Sequence, residues 1–198
     1  MARRIHGEWA PSLPYTDKAF RPYASALGEI ALAWNDLHVA LSLVFSSLLS
    51  IGNFNMGNIG TSQAIWQNIT SDRMQRNVLV AVAAQSDLAL TSQEQYEDIK
   101  WLCNQATSWE DFRNDALHSP LWGVPNEAGT IIGPVIGLGH IRANKLRNKN
   151  LLIEYRLCRD SVSELRNYAM RIDECLSKRQ TIAWPKRPKM PKRKAPKS

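Results

Sequence analysis

The sequence predicts an all-α protein: an up-and-down four-helix bundle with a small β-hairpin inserted between its third and fourth helices. Three observations carry this reading. Four segments repeat apolar residues at steps of three and four. Their ends carry capping and stop signals. Between the last two, residues 121–157 change to a glycine- and proline-rich pattern with short alternating runs. A length of 198 residues suits one domain with appendages. The expected division is an arm over 1–23, a helical bundle over 24–180 that contains the insert, and a basic, disordered tail over 181–198.

Each element has its own signal. In the arm, Pro11, Pro14 and Pro22 interrupt any period. Leu27, Ile30, Trp34, Leu37, Leu41, Val44, Phe45 and Leu48 then trace one apolar face, predicting a helix from about Ala24 to Ser50. The glycines and asparagines of residues 52–60 end it. Thr61 or Ser62 caps a second helix, with a bend near residue 70 where Thr70-Ser71-Asp72 offers a new cap. Ser92 with Gln95 forms a capping box for the third helix, and Pro120 stops it near His118. Thr130–Ile136 and Leu151–Leu157 read as the two strands of the insert, and Ser161 with Glu164 as the capping box of a fourth helix reaching about Arg179.

Charge is unevenly distributed. The chain has 25 Lys and Arg against 18 Asp and Glu, a net charge of +7. Residues 185–198 hold seven basic residues and no acid, so residues 1–184 are formally neutral. Four more cations, Arg142, Lys145, Arg147 and Lys149, stand together in the insert without an acid, which leaves the rest of the body net −4. Polyanion binding therefore points to three separate places, a cleft at Arg113, the insert loop and the tail with Lys186, Arg187, Lys192, Arg193 and Lys194. Cys103, Cys158 and Cys175 are odd in number and lack CxxC spacing, which argues against a disulfide framework or a zinc site and for a reducing, cytoplasmic setting. No signal peptide or membrane span is expected, since Asp36 and His38 interrupt the longest apolar run.

One cluster carries candidate chemistry. Arg113-Asn114-Asp115-Ala116-Leu117-His118 is the only place where an Arg stands five positions before a His. Asn114 and His118 share a helix face, so the amide is able to orient the imidazole. Arg113 and His118 point about 140° apart on a straight helix, and meet on one phosphate only if the helix unwinds after His118 or if a second copy supplies the missing group. The helix C-terminus favours a protonated imidazole while a nearby Arg opposes it, which suits His118 to acid–base work near neutral pH. The plainer readings are a surface arginine beside Glu110 and a histidine favoured by the helix dipole. His38, within the apolar stripe, reads as a core or interface histidine, and Trp34, Trp66, Trp101 and Trp109 as packing.

Read as RNxxxH at the end of a bundle helix, Arg113-Asn114 and His118 resemble the signature of HEPN domains (higher eukaryotes and prokaryotes nucleotide-binding). The resemblance covers about residues 24–179. It implies a metal-independent endoribonuclease that needs no cofactor, that pairs two motifs across a homodimer cleft, and that acts as a toxin or in phage defence with an antitoxin or regulatory protein as partner. One His118 would take the proton of a ribose 2′-hydroxyl, a second His118 or a water would protonate the leaving 5′-oxygen, and Arg113 would hold the phosphate, with Asn114 in support. Pro120 stands where some members carry a modifiable Tyr, so that mode of regulation is not expected. The alternative from another class is a non-catalytic helical module that binds a nucleotide or RNA in the same groove.

Overall fold

A computed structural model describes residues 18–51, 59–86, 89–90, 92–119, 121–125, 131–136, 141–178 and 181–192. The chain is predominantly helical. Its elements are α1 (Arg21–Ile51), α2 (Ile59–Asn68), α3 (Asp72–Ala83), α4 (Gln93–His118), β1 (Leu121–Pro125), β2 (Ile131–Ile136), α5 (Ile141–Asn144) and α6 (Leu151–Ser177).

α1 starts three residues earlier than expected because Pro22 falls in its first turn, where the missing amide donor costs nothing. Its apolar stripe is the spine of the core: Ile30, Leu37, Leu41, Val44 and Leu48 are fully buried. Length and composition alone would let α1 cross a membrane, but 56% of its apolar window is buried inside the protein, as in the core helix of a soluble fold.

The expected bend near residue 70 is a full reversal. Ser62 donates to Ser46 and Trp66 packs on Phe45, so α2 runs back along α1. Asp72 then lies beside Trp34 and His38, and α3 sets off in the opposite direction. Two side chains build this corner. Ser71 caps α3 by accepting from Met74 N. Gln75 Nε2 donates to Trp66 O and Ile69 O, carbonyls that the end of α2 leaves without helical partners.

α4 opens and closes as its signals require. Ser92 accepts from Gln95 N at the start, and Ser119 turns extended (φ −84°, ψ 121°) after the last helical residue. α6 overturns an expectation. Leu151–Leu157 is not a strand but the first two turns of this helix, capped by Asn150, whose Oδ1 accepts from Ile153 N. Leu151, Tyr155, Cys158, Val162 and Leu165 form one buried stripe across the supposed boundary, and Ser161 is a fully buried mid-helix residue rather than a cap. Asn148, at φ 61°, makes the left-handed turn from α5 into α6, a conformation asparagine tolerates better than most residues. The strand partner of Ile131–Ile136 is instead Leu121–Pro125, antiparallel, with Leu121 opposite Ile136.

Helix directions follow from side-chain pairs. Glu29 meets Arg159 and Ser47 meets Asp173, so α1 and α6 run parallel over the most extensive contact in the molecule. Asp72 meets Arg113 and Arg76 meets Glu110, so α3 and α4 are antiparallel. Trp101 packs edge-on against Tyr168 while Arg113 lies near Cys158, so α4 and α6 are antiparallel as well. α1, α3, α4 and α6 thus close a ring of contacts. Five alternating passes, not four, place the first and last helices side by side in the same direction.

The chain after α6 does not trail away where it is described. Residues 181–192 lie against the start of α4: Trp184 Nε1 donates to Asp98 Oδ2 at 2.8 Å, and Arg187 Nε donates to Asp98 Oδ1. Arg187 also stacks over Trp101, 5.5 Å from the ring centre, and Cys175 Sγ donates to Ile182 O. Asp98 is only 7% exposed, so this carboxylate needs both donors.

Candidate functional site

α4 carries the RNxxxH element through its last two turns. The helix continues through His118, so no unwinding swings the imidazole back toward Arg113. His118 is exposed and makes no hydrogen bond or ion pair with another described residue. Asn114 is half-buried, and no hydrogen bond joins its amide to His118. Among the described residues of one chain, then, Arg113 and His118 do not share a partner.

Arg113 faces inward. Its side chain is 19% exposed, its Nη2 donates to Asp72 Oδ2 at 2.8 Å, and its guanidinium lies 4.7 Å from the centre of the Trp34 ring. The same carboxylate oxygen accepts from Trp34 Nε1 at 3.0 Å and stands 3.4 Å from His38 Nε2. Arg76 also lies over the Trp34 ring, with 5.9 Å from guanidinium carbon to ring centre. Such cation–π contacts hold the indole in place and stabilise the desolvated cations.

Arg76 is the most deeply buried charged side chain among the described residues, at 2% exposure. Its Nη2 donates to Glu110 at 2.6 Å and its Nε to Thr107. Arg73 adds weaker contacts to Glu110 and Asp111, each at 3.7 Å. The acids crowding the motif are thereby accounted for: Glu110 and Asp111 neutralise α3 arginines, and Asp115, buried, pairs with Lys145 at 3.0 Å. Arg73, Arg76 and Arg113 balance Asp72, Glu110 and Asp111.

His38 sits where burial, first, and the nearby Arg76 and Arg113 guanidiniums hold its pKa below 6.5, against the opposing pull of Asp72. Its surroundings therefore favour the neutral imidazole. The three thiols offer no nucleophile: Cys103 and Cys158 are buried, which pushes each up to about 12, and Cys175 is raised by burial and by Glu174.

The basic residues fall at the two ends of α4. Lys145, through Asp115, ties the 141–149 segment to the end that carries His118, and Arg142, Arg147 and Lys149 are exposed there. Lys186 and Lys192 are exposed on the docked segment at the opposite end, about 22 Å from Arg113 along α4. Arg187, expected to contact RNA, is already committed to Asp98 and Trp101. Arg193 and Lys194 lie outside the described residues, as do residues 1–17 of the arm.

Sequence reasoning missed the hub of this cluster, Asp72, with Trp34, His38 and Arg76 around it. The available signal was a Trp and a His four residues apart on α1, together with an Asp and an Arg four apart on α3. Residues four apart share a helix face, so each pair places its two side chains side by side. Comparison with protein-family models, curated proteins and solved structures finds no match to this chain.

Proposed function

We propose that the chain is a HEPN-type, metal-independent endoribonuclease working as a homodimer. The observation that carries this reading is the exposed His118 at the C-terminal end of α4, without a hydrogen-bond or ion-pair partner among the described residues, with the basic 141–149 segment clamped to the same helix end by Lys145 and Asp115. α1, α3, α4 and α6 form the HEPN-like four-helix core of this reading, and β1–β2 its hairpin insert. Because Arg113 and His118 diverge within one chain, a second copy brings the complementary pair across a shared cleft.

The chemistry then needs only side chains. One His118 removes the ribose 2′-proton, the 2′-oxygen attacks phosphorus, and the 5′-oxygen leaves with a proton from the second His118 or a water, giving a 2′,3′-cyclic phosphate. Arg113 holds the scissile phosphate, and Asn114 supports His118 or the phosphate. Arg142, Lys145, Arg147 and Lys149 attract RNA near the site, while Lys186, Lys192, Arg193 and Lys194 add sequence-independent affinity from the far end of α4. A cytoplasmic toxin or phage-defence role, with an antitoxin or regulatory partner, belongs to the same reading. The test is RNA cleavage in excess chelator: His118→Ala should lower it by about 10²–10⁴-fold in a folded protein, and undiminished cleavage would overturn the assignment.

A second reading has its own observation. Asp72 neutralises Arg113 in the single chain, which suits a non-catalytic module that binds a nucleotide or RNA. Salt-sensitive RNA binding without strand scission would favour it.

A further inference from the structure

Two donors from two helices converge on one atom, and an imidazole nitrogen stands beside it. Asp72 Oδ2, at the start of α3, takes Arg113 Nη2 at 2.8 Å and Trp34 Nε1 at 3.0 Å, with His38 Nε2 3.4 Å away. We propose that the place of this carboxylate oxygen is a phosphate-binding position, and that Asp72 is a resident carboxylate which a phosphate displaces. The inference shares Arg113 with the ribonuclease reading but does not require cleavage.

Geometry supports it first. The donors are fixed by packing: Trp34 is 4% exposed and its ring contacts both the Arg113 and Arg76 guanidiniums, so its N–H keeps its direction when the acceptor changes. Spare hydrogen-bonding capacity supports it next. Among the described residues seven buried side-chain polar atoms lack a partner, and four belong to this cluster: the amide oxygen Gln75 Oε1, which only accepts, and three nitrogens able to face a phosphate oxygen, His38 Nε2, Arg76 Nη1 and Arg113 Nε. One carboxylate leaves two guanidinium donors unused, whereas a tetrahedral phosphate presents more acceptor oxygens.

Charge and mobility agree. The three arginines of the cluster are balanced by its three carboxylates, and turning the Asp72 carboxylate into water leaves the Arg113 charge open to a phosphate oxygen. Asp72 is the first helical residue of α3 and its side chain is 33% exposed. A rotamer change moves its carboxylate into water without breaking a helical hydrogen bond, and it remains favourable at the helix N-terminus.

The test uses the full chain and the Trp34 indole N–H resonance, assigned by its loss in Trp34→Phe. Inorganic phosphate should shift this resonance, and sodium chloride at equal ionic strength should not. Asp72→Asn, which removes the competing charge, should bind phosphate about tenfold or more tightly and gain thermal stability from it. A shift with the dinucleotide ApA identifies a phosphodiester ligand; a shift with inorganic phosphate alone identifies free phosphate. If Asp72→Asn does not fold, Asp72→Ser serves in its place. An unmoved Trp34 signal in the unmutated protein, an equal response to chloride, or a folded Asp72 variant that binds no tighter overturns the proposal. Phosphate binding without RNA cleavage would sink the enzyme reading alone.

Discussion

The Arg113 guanidinium donates to Asp72 Oδ2 at 2.8 Å across the α3–α4 contact, so the cation singled out by the RNxxxH pattern is neutralised by its own chain. That pair ties the motif to the fold as well as to chemistry. Asp72→Ala should destabilise the protein by about 1–3 kcal/mol, less than the roughly 3–5 kcal/mol typical of fully buried pairs, because a third of the Asp72 side chain reaches solvent. Urea unfolding checks this, and combination with Arg113→Met should recover part of the loss.

Arg76 and Glu110 form the drier pair. Removing Glu110 alone strands a guanidinium that is 2% exposed, so Glu110→Ala should cost about 3 kcal/mol or more. Replacing both by apolar groups of similar size, Arg76→Met with Glu110→Leu, should be far milder. A double-mutant cycle reads the coupling directly.

His38 gives a pH signature. Its folded pKa lies below 6.5, so the unfolded state takes up its proton first as pH falls. The stabilisation is complete above the unfolded value and is lost as pH drops through the folded one. The urea midpoint should therefore rise with pH on the mildly acid side of neutrality, and His38→Gln should flatten that rise.

Much of the fold was readable because its signals are local. Ser92, Ser71 and Pro120 mark helix ends through side chains or ring geometry a few residues away, and α1 repeats its apolar step over many turns. Leu151–Leu157 misled because seven residues of mixed apolar character fit both periods; only the continuation through Val162 and Leu165 decides for helix. The reversal after α2 depends on Gln75 reaching back to Trp66 O, and the docked segment depends on Asp98, far away in sequence. Asp72 was invisible for the same reason: its partners Trp34 and Arg113 stand 38 and 41 positions away. The Arg113–His118 spacing was legible, but their opposite surroundings were not.

The docked segment separates stability from affinity. Trp184→Ala with Arg187→Ala leaves the Asp98 carboxylate buried without its donors and should lower the melting temperature, whereas an unattached tail would leave it unchanged. Replacing the exposed Lys186, Lys189 and Lys192 by Ala should spare stability and reduce the salt slope of RNA binding by about 2, on the single-strand scale of roughly 0.7 per contact. An unchanged slope would remove these lysines from RNA binding.

The most direct measurement is cleavage of a single-stranded RNA by the full chain in excess chelator, with the product ends identified, for the unmutated protein and for His118→Ala at matched fold content. The account predicts fragments ending in 2′,3′-cyclic phosphate from the unmutated protein and their near-complete loss in the variant. Cleavage that requires added divalent metal, or that proceeds equally without His118, would contradict it.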